Sequence, residues 1–134
     1  MNANQVGPLR GDSFGNFAIA SAVVVPLNAV SNAATVMSVV GTSYIVRRVT
    51  IANANATAAS ANVSIITSSD GNAANAVFAT TQLSNVTSSV KFQDIAPVAN
   101  AVSNVYSSGA LWLKVTTAAD ATCDVTVYGD IVNL

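Results

Sequence analysis

The chain has 134 residues, of which 51% are hydrophobic and only 8% charged, with a net charge of −1 and no histidine. That length fits one domain with room to bury a core without staples. Disorder is excluded, because disordered chains are poor in apolar residues and rich in charge, and the five scattered Lys and Arg exclude the clustered basic patch of a nucleic-acid binder.

The mean hydropathy of +0.51 raises the question of a membrane. The apolar residues come as short Val, Ile and Ala runs broken by Asn, Ser and Thr, and no uninterrupted stretch of about 18 exists. A membrane partner is therefore not expected. A typical soluble domain carries about 25% charged residues. A surface of Ala, Ser, Thr and Asn with so few charges does little to repel a neighbour. It reads as a surface to be covered, by copies of itself or by a scaffold. The single cysteine, Cys123, cannot form an intrachain disulfide. It falls in an alternating pattern and reads as a small buried hydrophobe.

Residues 1–15 contain Gly7, Pro8, Gly11 and Gly15 and read as an extended N-terminal arm. Residues 16–134 read as a single β-sandwich domain. Phe17 to Val25 is the first strand, closed by Pro26, which has no N–H to give a ladder. Its apolar run starts late and alternates with Ser21, so it is read as a strand and not as a signal peptide. Thr35 to Val40 is a short strand ended by Gly41. In Tyr44 to Ala52, strict alternation places Tyr44, Val46, Arg48 and Thr50 on one face and Ile45, Arg47, Val49 and Ile51 on the other. Ala61 to Thr67 follows, then a turn at Asp70-Gly71-Asn72, where Gly supplies a positive φ. Ala76 to Thr80 and Ser89 to Ile95 are the next strands. Val98 to Gly109 is a long connection with a short helical turn. Ala110 to Thr116 and Thr122 to Tyr128 alternate on both sides of a tight turn and are expected to pair as a hairpin, with a last edge from Asp130. The sum is roughly eight short strands at the spacing of an antiparallel sandwich or barrel.

Candidate chemistry is sparse. Without histidine, a Ser/His/Asp triad is impossible and zinc sites are hard to build. Most of the six acidic residues, all aspartates, fall in expected turns, where Asp caps backbone N–H groups. No enzyme activity, cofactor or metal is expected. Arg10-Gly11-Asp12 matches an integrin-binding tripeptide, and Asn55, Asn62 and Asn85 begin glycosylation sequons. Both are triplets that such a composition produces by chance. Trp112, Phe92, Phe78 and Tyr128 read as core residues rather than as a sugar platform, although Trp112 faces opposite to Leu111 and Leu113, which leaves one of these two sides open as an interface. The candidate contacts are therefore Val6, Pro8, Leu9, Arg10 and Phe14 of the arm, an apolar segment that a neighbour would order, together with Arg47 and Arg48, adjacent guanidiniums of which one must reach solvent or a partner.

Three stretches carry a resemblance: TSYIVRRVTIANAN at 42–55, SIITSSDG at 64–71 and LWLKVTTAADATCDVTVYGDIV at 111–132. Together they resemble small virion proteins of tailed bacteriophages. What the resemblance implies is a head-associated structural component: a jelly-roll-like decoration (cement) protein on the capsid surface, made in the host cytoplasm. It would bind across major capsid protein subunits and often assemble as a homo-oligomer such as a trimer. The alternative is a tail or fibre adsorption module that binds a cell-surface glycan. A small subunit of a tail or of another shell is a third reading.

Overall fold

The computed structural model describes residues 17–132. The arm, with Val6, Pro8, Leu9, Arg10 and Phe14, lies outside the described residues. Eight strands run in order: β1 (Phe17–Pro26), β2 (Ser31–Ser38), β3 (Tyr44–Ala52), β4 (Asn62–Ile66), β5 (Ala76–Gln82), β6 (Gln93–Ile95), β7 (Ala110–Thr117) and β8 (Thr122–Ile131). Two short 3-10 turns, Ala73–Asn75 and Ala101–Ser103, sit in the connections. The expectation of strands over helices follows from the Val, Ile, Thr and Tyr content, which suits a pleated, half-buried surface.

The strands form two four-stranded sheets, ordered β1-β8-β3-β6 and β2-β7-β4-β5, with every pairing antiparallel. The pairs nest: first with last, second with seventh, third with sixth, fourth with fifth. This is the order produced when one long hairpin is wound over itself into a two-sheet jelly roll, and it is an open sandwich with free edges. The edges of the first sheet are β1 and β6; those of the second are β2 and β5.

The nesting corrects the expected hairpin of the last two strands. β7 and β8 lie in different sheets. Both alternate, and both turn their apolar set inward: Leu111, Leu113 and Val115 from one, Cys123, Val125 and Val127 from the other, all buried. Alternation thus identified each strand but could not say which neighbour it pairs with. Among the described residues only β4 and β5, joined through the Asp70-Gly71 turn, are consecutive strands that also pair. There Gly71 does adopt φ +75 and the Asp70 carboxylate accepts the Asn72 N–H at 2.9 Å.

Two further expectations fail locally. No break separates Tyr128 from a last edge at Asp130, since β8 continues through Gly129 to Ile131. Glycine is required there: a Cβ would collide with the backbone of Ile45 and Val46 on β3. Second, the segment before β6 does not alternate in and out. Only Gln93–Ile95 joins the sheet, while Val90 and Phe92 are exposed.

The core between the sheets is aliphatic, with Ile19, Val25, Leu27, Met37, Tyr44, Val46, Val49, Ile51, Val63, Ile65, Phe78, Leu113 and Val127 among its buried residues. Its one large polar member, Tyr44, stacks at 6.0 Å on Tyr106 and satisfies its hydroxyl on Ser108. Burial raises the Tyr44 pKa above its ordinary value.

Candidate interaction surfaces

Arg47 and Arg48 were expected on opposite faces of β3. The structure puts Tyr44, Val46, Val49 and Ile51 inward together. The alternation slips by one residue because β3 is bulged between Val46 and Arg48 against β8. A bulge inserts one extra residue and re-aims the side chains beside it. Neither arginine enters the core: Arg47 is half-buried and Arg48 exposed.

Both arginines are engaged within the chain. The Arg47 Nε donates to Asp130 Oδ2 at 2.8 Å, and its Nη1 donates to the Val102 carbonyl at 3.0 Å. The Arg48 guanidinium lies 4.5 Å from the centre of the Tyr128 ring. The same sheet face carries more paired polar groups. Thr50 donates to Asp94 at 2.6 Å. Asp124 accepts the Asn53 amide at 2.8 Å and the Val24 backbone N–H at 2.9 Å. These two bonds, the Asn53 amide first, hold the Asp124 carboxyl below the usual carboxylate range. This face is polar and largely self-satisfied.

The outer face of the other sheet is different. Across its middle run Val36, Trp112 and Ile66, cross-strand neighbours on β2, β7 and β4. Trp112 is therefore an outward residue, packed beside the buried Ile66 and the exposed Val36. Its expected place in the core is taken by its neighbours Leu111 and Leu113. The one charge on this face, Lys114, donates to the Gly71 carbonyl at 2.9 Å, which ties the β4–β5 turn over the sheet. Of the other aromatics read as core, Phe78 is buried, Tyr128 half-buried under Arg48, and Phe92 outward.

At one end of the sandwich an open cleft of about 350 Å³ is lined by Ser84, Asn85, Thr87, Val90, Phe92, Gln93 and Asp94. Gln93 is nearly buried, with its carbonyl accepting the Asn85 N–H and its amide donating to the Gln82 carbonyl. What the cleft offers a partner is chiefly the exposed side chains of Val90 and Phe92.

The remaining motifs have structural uses. The side chain and backbone of Asn55 both bond Thr122, holding the β3–β4 loop to the start of β8. Asn62 donates to Thr117 across the β4–β7 pair. Arg10-Gly11-Asp12 lies outside the described residues. Cys123 is buried, and desolvation, then the charge of Asp124, pushes its thiol up to about 12. It is the protonated, unreactive form that sits in the core. Among the described residues no three metal-ligating side chains converge.

The most exposed apolar residues were not marked by the sequence reading. They are Val23 (73%), Val30 (69%) and Val24 (68%), with Val36, Val40 and Val90 next. All but Val90 lie on β1, β2 or the loops that follow them. One sequence signal does point there: from Ser13 to Val46 the chain contains no charged residue.

No family model, curated protein or solved structure matches this chain.

Proposed function

We propose that the chain is a decoration (cement) protein of a tailed bacteriophage. It docks on the outer capsid surface across neighbouring major capsid protein subunits, as a homo-oligomer, and stabilises the head without catalysing a reaction. The observation that carries this reading is the distribution of its surface. Charged groups on the β1-β8-β3-β6 sheet are paired within the chain, while five large valines along β1, β2 and their loops stand in solvent. Exposed apolar groups of this kind suit docking. Repetition over a symmetric shell multiplies a modest affinity per site through avidity.

The test is co-sedimentation of purified protein with undecorated phage heads. Saturable, stoichiometric binding that raises the heads' resistance to heat is expected. Absence of binding overturns the reading.

A second reading, an adsorption module for a cell-surface glycan, is favoured by the cleft. Phe92 is 49% exposed there beside Asn85 and Asp94, an aromatic face next to polar groups of the kind that holds a sugar. Saccharides that perturb the Phe92 ring resonances, in protein that does not bind heads, would move the assignment to this class.

A further inference from the structure

Among the described residues only two besides glycine have a positive φ, Val24 at +52 and Asn53 at +53. Asparagine tolerates the left-handed region, whereas a β-branched residue there is an outlier. One carboxylate serves both. Asp124, on the β8 strand that lies between β1 and β3, accepts the Val24 backbone N–H on Oδ1 at 2.9 Å and the Asn53 amide on Oδ2 at 2.8 Å.

Val24 belongs to a bulge. From Ala20 to Ala22, opposite Val127 to Val125, β1 pairs in step with β8, and it pairs again from Val25, opposite Cys123. Val23 and Val24 together therefore face the single Asp124, the two-against-one count of a β-bulge. Val25 is buried in the core, while Val23 and Val24 stand in solvent.

The sequence is degenerate at this place. Residues 23–25 are three consecutive valines. A register without the bulge puts Val24 opposite Cys123 and buries a side chain identical to the one Val25 buries now. A one-residue slip normally carries apolar residues to the wrong face; here it costs no apolar burial. The slip also returns Val24 to extended backbone and relieves its strain. The surplus residue passes to Val25-Pro26, where Pro26 has no N–H to lose, ahead of Leu27, whose N–H and carbonyl are fixed by Ala121 and Ala119. Against the slip stands the hydrogen bond that Asp124, itself held by Asn53, accepts from Val24.

We propose that the end of β1 is a two-register switch, and that Asp124 is the latch that selects the bulged register. The two registers bury the same kind of side chain and differ chiefly in the strain at Val24 and the hydrogen bond from its N–H, which oppose each other. The switch decides which valines meet solvent: Val23 and Val24 in the bulged register, Val23 and Val25 in the other. A partner that takes hold of Val24 thereby favours the bulged register. The switch goes beyond the docking role proposed above and does not depend on it.

The test is NMR of the full chain labelled with nitrogen-15 and carbon-13. In the wild type, the Val24 amide-to-Hα coupling should be smaller than that of an extended residue, and the Val25 methyls should give Overhauser contacts to the Cys123 side chain. In Asp124→Ala the coupling should rise toward the extended value, and the contacts should pass, in whole or in part, to the Val24 methyls. Adding Val24→Gly to Asp124→Ala should bring the Val25 contacts back, because glycine accepts a positive φ without strain and offers nothing to bury. An Asp124→Ala protein that keeps the wild-type coupling and contacts overturns the proposal, as does a double variant in which Val25 fails to return. A β1 end with neither valine against Cys123 also overturns it, since Asp124 would then hold the strand and not its register.

Discussion

The outer face of β3 and β8 and the flank formed by β1 and β2 both meet solvent, yet they treat polarity in opposite ways. On the first, the bulge at Arg47-Arg48 turns both guanidiniums out, and Asp130, Tyr128 and the Val102 carbonyl receive them. On the second, another bulge at Val24 turns two valines out of edge strands that carry no charge themselves, beside the Asp124 carboxylate of β8 that accepts the Val24 N–H. The same backbone device therefore serves two ends. Where it presents charge, the chain satisfies that charge locally and little binding capacity is left over. Where it presents apolar surface, nothing in the described residues covers it.

The comparison can be broken most severely at Gly129. This residue faces the β3 bulge, and a Cβ would strike the Ile45 backbone. Gly129→Ala should cost about 1–3 kcal/mol by overpacking, read as a lower midpoint in urea denaturation. An unchanged midpoint would mean that the bulge is loosely held and the polar face is not fixed as described.

The next effect has the opposite sign. Val24→Gly removes a left-handed β-branched residue, a strain of about 1–3 kcal/mol, partly offset by the greater unfolded-state freedom of glycine. Measured on monomer, thermal stability should rise by about 1 kcal/mol. A fall would show that the valine side chain stabilises the single fold.

Smaller still is the loss expected from the paired charges. Arg47→Ala removes a half-exposed ion pair, with side-chain exposures of 37% and 20% for Arg47 and Asp130. Such a pair contributes about 0–1 kcal/mol. Arg48→Ala removes an exposed cation–π contact of about 0.5–1 kcal/mol. A double substitution that abolished head binding would restore the arginines as docking groups and weaken the contrast between the two surfaces.

The last lever is pH. Asp70 and Asp124 both have carboxyls held below the ordinary value of 3.8, Asp70 chiefly by the Asn72 N–H and Asp124 by the Asn53 amide. A depressed folded-state pKa contributes stability above the unfolded value, and that contribution is lost as pH falls through the folded one. Stability should therefore decline below about pH 4, and Asp124→Asn should flatten part of that slope in acid titrations followed by tryptophan fluorescence. The Cys123 thiol, raised to about 12, should resist thiol reagents in the native state and label only on unfolding.

Much of the fold was legible because period-2 alternation survives wherever one face of a strand is buried. Seven of the expected strands have close counterparts, and an antiparallel sandwich or barrel follows from their number and spacing, whereas the jelly-roll-like class came from the resemblance. Pairing was not legible. Leu113 and Val125 alternate identically whether their strands join in one sheet or face each other across the core. Nor were the bulges. At Arg47-Arg48 one inserted residue reversed the faces of everything after it, and at Val24 the left-handed φ has no signature in a run of three valines. Phe92 and Trp112 were read as core because aromatic character argues for burial on average; the alternation of Trp112 with Leu111 and Leu113 did put it on the opposite face from them, while nothing beside Phe92 in sequence reveals its outward place. The uncharged stretch before Arg47, by contrast, was readable from the start. It gains meaning only once the topology brings β1 and β2 to the same flank.

The most direct test of the account is the salt dependence of head binding. Docking through the valines of the β1-β2 flank should hold its affinity, or gain slightly, between low and high sodium chloride, because apolar burial is not screened. A loss of about tenfold or more over that range, the behaviour of exposed charges at short Debye length, would place the contact on the arginine-bearing face and contradict the account.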